Sequence, residues 1–117
     1  MTRAAATGPN GGAVVMRLLV DTGASYTIVP VEAVERIGCD THHPLDTIRI
    51  VAANGIMISP VVKLARFRSL GVELANLPVV AHTLPSGTYV DGLLGMDVLS
   101  RLGAVLDVAR AVVRVRR

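Results

Sequence analysis

The tripeptide Asp21-Thr22-Gly23 places a carboxylate directly after the apolar run Leu18-Leu19-Val20 and directly before a glycine turn. An acid at the end of a strand beside a tight turn is positioned for general acid or base chemistry. Neither Asp-Thr-Gly nor Asp-Ser-Gly occurs again in the chain. Chemistry that needs two such carboxylates must therefore take the second from another copy.

The elements around this loop read as strands. Gly8-Pro9-Asn10-Gly11-Gly12 is a dense turn signal between Arg3–Thr7 and Ala13–Val20, so the spacing predicts a hairpin whose second strand ends at Asp21. After the loop, Tyr26–Val29 has strand character. Pro30 to Gly38 reads as a short helix, with proline at its start, glycine at its end, and Val34 and Ile37 on one face. Further on, Asp46–Val51 alternates Ile48 and Ile50 with polar neighbours, and Ile56–Leu64 is apolar. Asn54-Gly55 between them is a strong hairpin signal, because a type I′ turn needs positive φ at both central residues. Leu77–Ala81 is a further apolar band, followed by the turn-like Pro85-Ser86-Gly87. Tyr89 to Gly95 leads into a short helix over Met96–Leu102, stopped by Gly103, and a strand is expected from Val105 to Val115. Asp21–Gly38 and Asp91–Gly103 echo each other loosely, as duplicated supersecondary units would.

Composition narrows the classes. With 117 residues, 51% of them hydrophobic, the chain is long enough for one domain, residues 1–117, with a real core. Its aromatics are only Phe67, Tyr26 and Tyr89, too few for the stacking platforms of single-stranded nucleic-acid binders. No nucleic-acid partner is therefore expected. The net charge of +3 owes much to Arg110, Arg114, Arg116 and Arg117, which alternate with valines as on the solvated edge of a terminal strand. Cys39 is alone, which excludes an intrachain disulfide and a multi-cysteine zinc site and leaves nothing that demands an oxidising compartment. Apolar stretches are broken by Arg17, Lys63, Asp91 or Asp97, well short of the roughly 20 residues that cross a bilayer. No secretory leader is read at the N-terminus. The expectation is a soluble domain, cytoplasmic or released from a larger protein.

Four segments taken together carry a resemblance. Asp21-Thr22-Gly23-Ala24-Ser25, Ala52-Ala53-Asn54-Gly55, Asn76-Leu77-Pro78-Val79-Val80 and Asp91-Gly92-Leu93-Leu94-Gly95-Met96-Asp97-Val98-Leu99 follow in the order and spacing of the retropepsin-like aspartic proteases, particularly the single-domain bacterial type. The resemblance covers about residues 13–115. It implies an all-β fold: a closed barrel with a flap hairpin, one or two short helices, and half an active site per chain. It also implies a homodimeric endopeptidase acting on peptide or protein substrates without metal or other cofactor. In that reading two Asp21 carboxylates meet at a two-fold axis and hold a water between them. Thr22 bonds across the axis, and Gly23 lets backbone approach backbone. Ala53, Asn54, Gly55 and Ile56 form the flap tip. Leu19, Ala24, Ser25, Ile28 and Leu93 complete the substrate contacts, with Leu19, Ile28 and Leu93 lining side-chain pockets that suit an apolar residue beside the cleaved bond.

The chain departs from relatives in useful places. Ala24 stands where pepsin-type loops carry serine, which removes a donor that would favour the ionised pair. Ser25 and Met96 stand where retroviral members carry an acid and an arginine that brace the dimer; both are absent together, so no charge is orphaned. The same fold also suits a weakly active or inactive dimeric module that binds peptides or serves assembly, and, further off, a small barrel that binds a ligand with no carboxylate pair. Elsewhere, His42-His43 near Cys39 and the distant His82 read as loop residues, since adjacent histidines point different ways. Asp97 reads as a cap at the start of the second helix, and Leu99 and Leu102 as core.

Overall fold

The computed structural model describes residues 1–52, 55–85, 87–101, 104–107 and 112–115. Among these described residues, nine strands and two short helices follow in the order β1 (Thr2–Thr7), β2 (Ala13–Val20), β3 (Ile28–Val29), α1 (Val31–Arg36), β4 (Asp46–Ala52), β5 (Gly55–Ser69), β6 (Val72–Ala81), β7 (Gly92–Leu94), α2 (Met96–Arg101), β8 (Ala104–Asp107) and β9 (Val112–Val115).

The first hairpin forms around the expected turn, and its burial alternates. Ala4 and Ala6 on β1 and Met16 and Leu18 on β2 are buried, while Val15, Arg17 and Leu19 face outward. Side chains of a strand point to opposite faces in turn, so this period of two buries one face only. The Gly8–Gly12 turn closes on itself through Gly8 N–H to Gly12 O and Gly12 N–H to Asn10 Oδ1.

Seven strands lie in the order β1-β2-β7-β3-β6-β5-β4, and β1 also pairs with β5. That extra pairing, Ala4–Thr7 against Arg66–Ser69, closes six strands into a barrel and leaves β4 as a flank outside it. The all-β closed barrel is thus present. Inside sit Phe67, Leu18, Leu64, Leu77, Leu94, Val29 and Val79, each at most 1% exposed. Ala6 lies opposite Phe67 in the β1–β5 register, a small residue facing a large one, as dense interiors require. The helices plug the barrel: Val34 of α1 with Ile37 just past it, and Val98 and Leu99 of α2, are all buried in the same core.

Several boundaries differ from expectation. The apolar bands Ile56–Leu64 and Leu77–Ala81 belong to much longer strands, β5 and β6, joined by the two-residue turn Leu70-Gly71 in which both φ angles are positive. That is the backbone of a hairpin turn that matches strand twist, with a leucine where glycine or asparagine is usual. Farther along this hairpin Asn76 also has φ 52°. The face that each strand buries switches there: Leu64 and Phe67, three residues apart, are both buried. The β4–β5 hairpin closes on the pair Ala52 and Gly55, so Gly55 stands on a strand rather than inside the expected Asn54-Gly55 turn, and Ala53 and Asn54 lie outside the described residues. The strand expected over Val105–Val115 is instead two short strands: β8 and β9 pair antiparallel, from Ala104 with Val115 to Asp107 with Val112. An apolar run with no Gly, Pro or Asn in it gave no turn signal to divide it. The helix expected over Met96–Leu102 is present over Met96–Arg101, and Leu102 and Gly103 lie outside the described residues.

Candidate active site

β2 and β7 run parallel, with Leu18 beside Gly92, Leu19 beside Leu93 and Val20 beside Leu94. Arg17 fixes that register. Its N–H donates to Asp91 Oδ2 at 2.8 Å, its guanidinium donates to the Tyr89 carbonyl at 2.9 Å, and its own carbonyl accepts from Asp91 N–H at 2.8 Å. Strand β2 therefore ends at a set height above β7, and Asp21 follows it.

Asp21 is pinned by backbone. Its N–H donates to the Leu94 carbonyl at 3.0 Å, and its carbonyl accepts from Ala24 N–H at 3.2 Å, closing a tight turn. The carboxylate Oδ1 accepts from Gly23 N–H at 2.9 Å. A Cβ at position 23 would lie 3.3 Å from that oxygen, closer than most carbon contacts, so glycine keeps the loop tight around the acid. Asp21 is half-buried, whereas Thr22 and Gly23 are exposed. The acid thus sits on an open face of the chain with one carboxylate oxygen oriented.

A second layer holds the loop from beneath. Thr27 is fully buried. Its hydroxyl donates to Asp97 Oδ1 at 2.8 Å and accepts from Gly95 N–H at 3.1 Å, and its N–H donates to Asp97 Oδ2 at 3.0 Å. Met96 N–H donates to the Ala24 carbonyl at 2.8 Å. The Asp21 loop and the turn into α2 are therefore laced together by backbone and by one hydroxyl–carboxylate pair. Gly95 permits the crossing: a Cβ there would come within 2.6 Å of the Tyr26 carbonyl group, where no side chain fits. Asp97 stands inside the first turn of α2 rather than capping it from ahead, and besides accepting from the adjacent Val98 N–H at 2.7 Å it holds Thr27, a role that sequence reasoning missed. Its signal, an Asp after the second glycine turn and a Thr six residues after Asp21, is legible only once the two loops are known to meet.

Beside the loop runs a groove of about 390 Å³, lined on one side by Gly23, Ala24, Ser25 and Tyr26, and on the other by the consecutive β4 residues Ile48, Arg49, Ile50 and Val51; Ile28 and Val80, partners in the β3–β6 register, complete it. Of the residues expected to contact substrate, Ala24, Ser25 and Ile28 line this groove. Leu19 and Leu93 lie elsewhere, side by side in the β2–β7 register, and Leu19 shares a face of its strand with Asp21 and is 44% exposed. Gly55 and Ile56 are exposed at the free end of the β4–β5 hairpin. Ile48 and Ile50 were available as a signal, since they alternate along β4, but nothing in the sequence places that strand against the Asp21 loop.

His42 and His43 lie in a separate loop with Asp40. His43 Nδ1 meets Asp40 Oδ2 at 2.8 Å, and the N–H of His42 donates to Asp40 Oδ1 at 2.9 Å. The hydrogen bond from the His43 side chain holds the Asp40 carboxyl below the usual carboxylate range. Cys39 is buried, and burial pushes its thiol up. Among the described residues no three metal-ligating side chains converge, and no helix is long and apolar enough to cross a membrane.

A closed six-stranded barrel that carries an Asp-Thr-Gly loop at the end of one strand, supported by a glycine turn from a parallel neighbour, defines the retropepsin-like aspartic proteases. The chain belongs to the aspartyl protease family, whose sequence profile matches residues 6–98. Among solved structures, it is similar to the crystal structure of a retropepsin-like aspartic protease from Rickettsia conorii. The TM-score is 0.61 and the identity 24%, over 92% of this chain and 85% of the other; at that identity the likeness establishes the fold.

Proposed function

We propose that this chain is an aspartic endopeptidase that works as a homodimer and hydrolyses peptide bonds with water activated between two Asp21 carboxylates. One observation carries the proposal: each chain presents one loop-held carboxylate on an open face, oriented by Gly23 N–H, with no second Asp-Thr-Gly to complete a pair. Two carboxylates about 3 Å apart cannot both ionise, so the pair keeps one proton. The ionised member takes a proton from the water as it attacks the scissile carbonyl carbon, and the protonated member gives its proton to the carbonyl oxygen. The tetrahedral diol then collapses, the C–N bond breaks, and the leaving nitrogen takes up a proton. The pair titrates as a unit.

Thr22, exposed in one chain, bonds across the axis in this reading and fixes the two loops against each other. The groove supports a peptide substrate: among the described residues β4 pairs only with β5, which leaves its other edge to an extended peptide laid between that edge and Gly23–Ser25, where it gains main-chain hydrogen bonds. The β4–β5 hairpin closes over it as a flap and excludes water. Leu19 and Leu93 face the region where the two copies meet and supply apolar contact next to the cleaved bond.

Incubation with denatured protein substrates, with and without a transition-state mimic of aspartic proteases, tests the reading. Cleavage that the mimic stops, and that tracks the dimer fraction in sedimentation, is expected. A chain that stays monomeric at every concentration cannot assemble the pair. The pH profile is a separate test. Among the described residues no hydroxyl reaches the Asp21 carboxylate, and Ala24 offers none, so less holds the pair in its ionised form. The optimum is expected at weakly acid pH, and Ala24→Ser is expected to move the acid limb lower; a wild-type profile peaking at about pH 2, in the range of pepsin's lower pKa, contradicts this.

A further inference from the structure

Strand β7 has three residues, Gly92–Leu94, paired with Leu18, Leu19 and Val20 of β2 and with Ile28 of β3. Its last carbonyl, that of Leu94, holds Asp21 N–H. The stretch Arg17–Asp21 of β2 is thus fastened to the β7 segment at both ends: by Leu94 beside the loop, and by Asp91 four residues back along β2, about 13 Å away. The two fastenings differ in kind. In a regular parallel ladder a main-chain N–H finds a main-chain carbonyl of its neighbour. Arg17 N–H instead finds the Asp91 side chain, Oδ2 at 2.8 Å, while Asp91 N–H returns to the Arg17 carbonyl at 2.8 Å. One residue therefore supplies both halves of a rung, just ahead of the first strand pair, Leu18 with Gly92. Gly92 has no side chain to pack there, and a Cβ on it would collide with the Ile28 carbonyl. At this end of β7 the Asp91 carboxylate holds the register.

We infer that Asp91 is a positioning residue for catalysis: its carboxylate, standing in for a rung of the ladder, fixes where the Asp21 carboxylate lies relative to its counterpart on the second chain. Asp91 forms no part of the groove wall, so it acts through β7 and not on the substrate. The bond from Gly23 N–H to Asp21 Oδ1 lies inside the loop and travels with it. The bonds of Asp21 N–H to Leu94 and of Met96 N–H to the Ala24 carbonyl tie the loop to the segment that follows β7. Any shift of that segment along β2 is therefore passed to the acid, and Asp91 is the side chain that resists the shift. A carboxylate pair on a two-fold axis needs this placement in both chains, so each displacement enters twice. This inference rests on the peptide-cleaving reading above.

The test compares wild type with Asp91→Ala, which removes the rung, and Asp91→Asn, which keeps an acceptor oxygen in its place. The substrate is a synthetic peptide that copies a bond wild type cuts in a denatured protein. Active sites are counted by titration with the transition-state mimic, so a smaller folded fraction does not lower kcat. Asp91→Ala is expected to lose at least tenfold in kcat, within the loss of up to about 10²-fold that a misplacement of about 1 Å brings, with KM within about threefold of wild type. Asp91→Asn recovers most of that loss. The bell-shaped pH profile of Asp91→Ala also narrows, because carboxylates held farther apart interact less and the two apparent pKa values of the pair draw together. A merely structural role scales the rate equally at every pH and leaves the width alone. If Asp91→Ala does not fold, Asp91→Glu takes its place, since it keeps the charge and moves the oxygens by one methylene. A loss smaller than tenfold, a loss that Asp91→Asn does not recover, or a profile of unchanged width overturns the inference while the protease reading stands. If wild type cleaves nothing, the protease reading fails, and amide NMR decides the inference alone. Asp21 and Gly23 N–H resonances that shift in Asp91→Ala and return in Asp91→Asn sustain the placement of the carboxylate by Asp91, and resonances that stay where they are end it.

Discussion

Asp21→Asn is expected to abolish peptide cleavage and to leave self-association in sedimentation unchanged. The substitution keeps size and shape, and an amide oxygen in place of Oδ1 still accepts from Gly23 N–H, which reaches it at 2.9 Å. The backbone bonds to Leu94 and Ala24 do not involve the side chain, so the turn holds its form. What is lost is the ionisable group. An amide can neither take a proton from water nor pass one to a carbonyl oxygen, and in a homodimer both halves of the pair are lost together. Removing a group that acts in the chemical step of a hydrolase costs about 10⁴-fold or more in kcat. Cleavage at or below the detection limit, with an unchanged sedimentation profile, is the expected result. Cleavage that persists within tenfold of wild type shows that another residue does the chemistry.

Thr27→Val is expected to have the largest effect on stability of any near-isosteric change outside the apolar core. Its hydroxyl joins Gly95 N–H to the Asp97 carboxylate in a buried position, and no buried side-chain polar atom among the described residues lacks a partner. Valine fills the same volume and removes the oxygen. Gly95 N–H then has no acceptor, and Asp97 Oδ1 keeps only Val98 N–H. Stranding a buried donor and weakening a charged acceptor costs about 2–4 kcal/mol, which lowers Tm by roughly 10 °C or more in a domain of this size. Thr27→Ser keeps the hydroxyl and restores most of the loss. Thermal unfolding of the three proteins checks both statements, and a Val variant as stable as wild type means the network contributes nothing net.

The parts legible in the sequence were those written in local chemistry. Gly8–Gly12 declared its turn, the apolar run Ala13–Val20 after it declared a strand, and Pro30 and Gly38 bracketed α1. Asp21-Thr22-Gly23 stood out by its company, the Asn54-Gly55 hairpin signal and the later Leu93-Leu94-Gly95 element, since alone it reads as an acid that caps its own turn, as the Gly23 N–H bond to its carboxylate does. What stayed hidden depends on residues distant in sequence. The Leu70-Gly71 turn was missed because leucine masks a positive-φ position. The Thr27–Asp97 pair and the Arg17–Asp91 clip join residues 70 or more apart, and no local pattern announces them. The groove needed β4, the flank outside the barrel, to lie against the Asp21 loop, a fact of tertiary packing alone.

The pairing of β1 with β5 has a consequence for how the molecule reaches its native form. Ala4 meets Ser69 and Thr7 meets Arg66, so the last stave of the barrel is set by contacts spanning some sixty residues. Closing so long a loop is entropically costly and slow. Until it closes, the Thr2–Thr7 strand and the far half of β5 each present an uncovered edge of backbone donors and acceptors, the template on which a second chain can add in the wrong place. A nascent or heated chain therefore passes through a window in which these two edges, paired with each other in the finished barrel, can recruit a second chain, and refolding yield is set by dilution during that window.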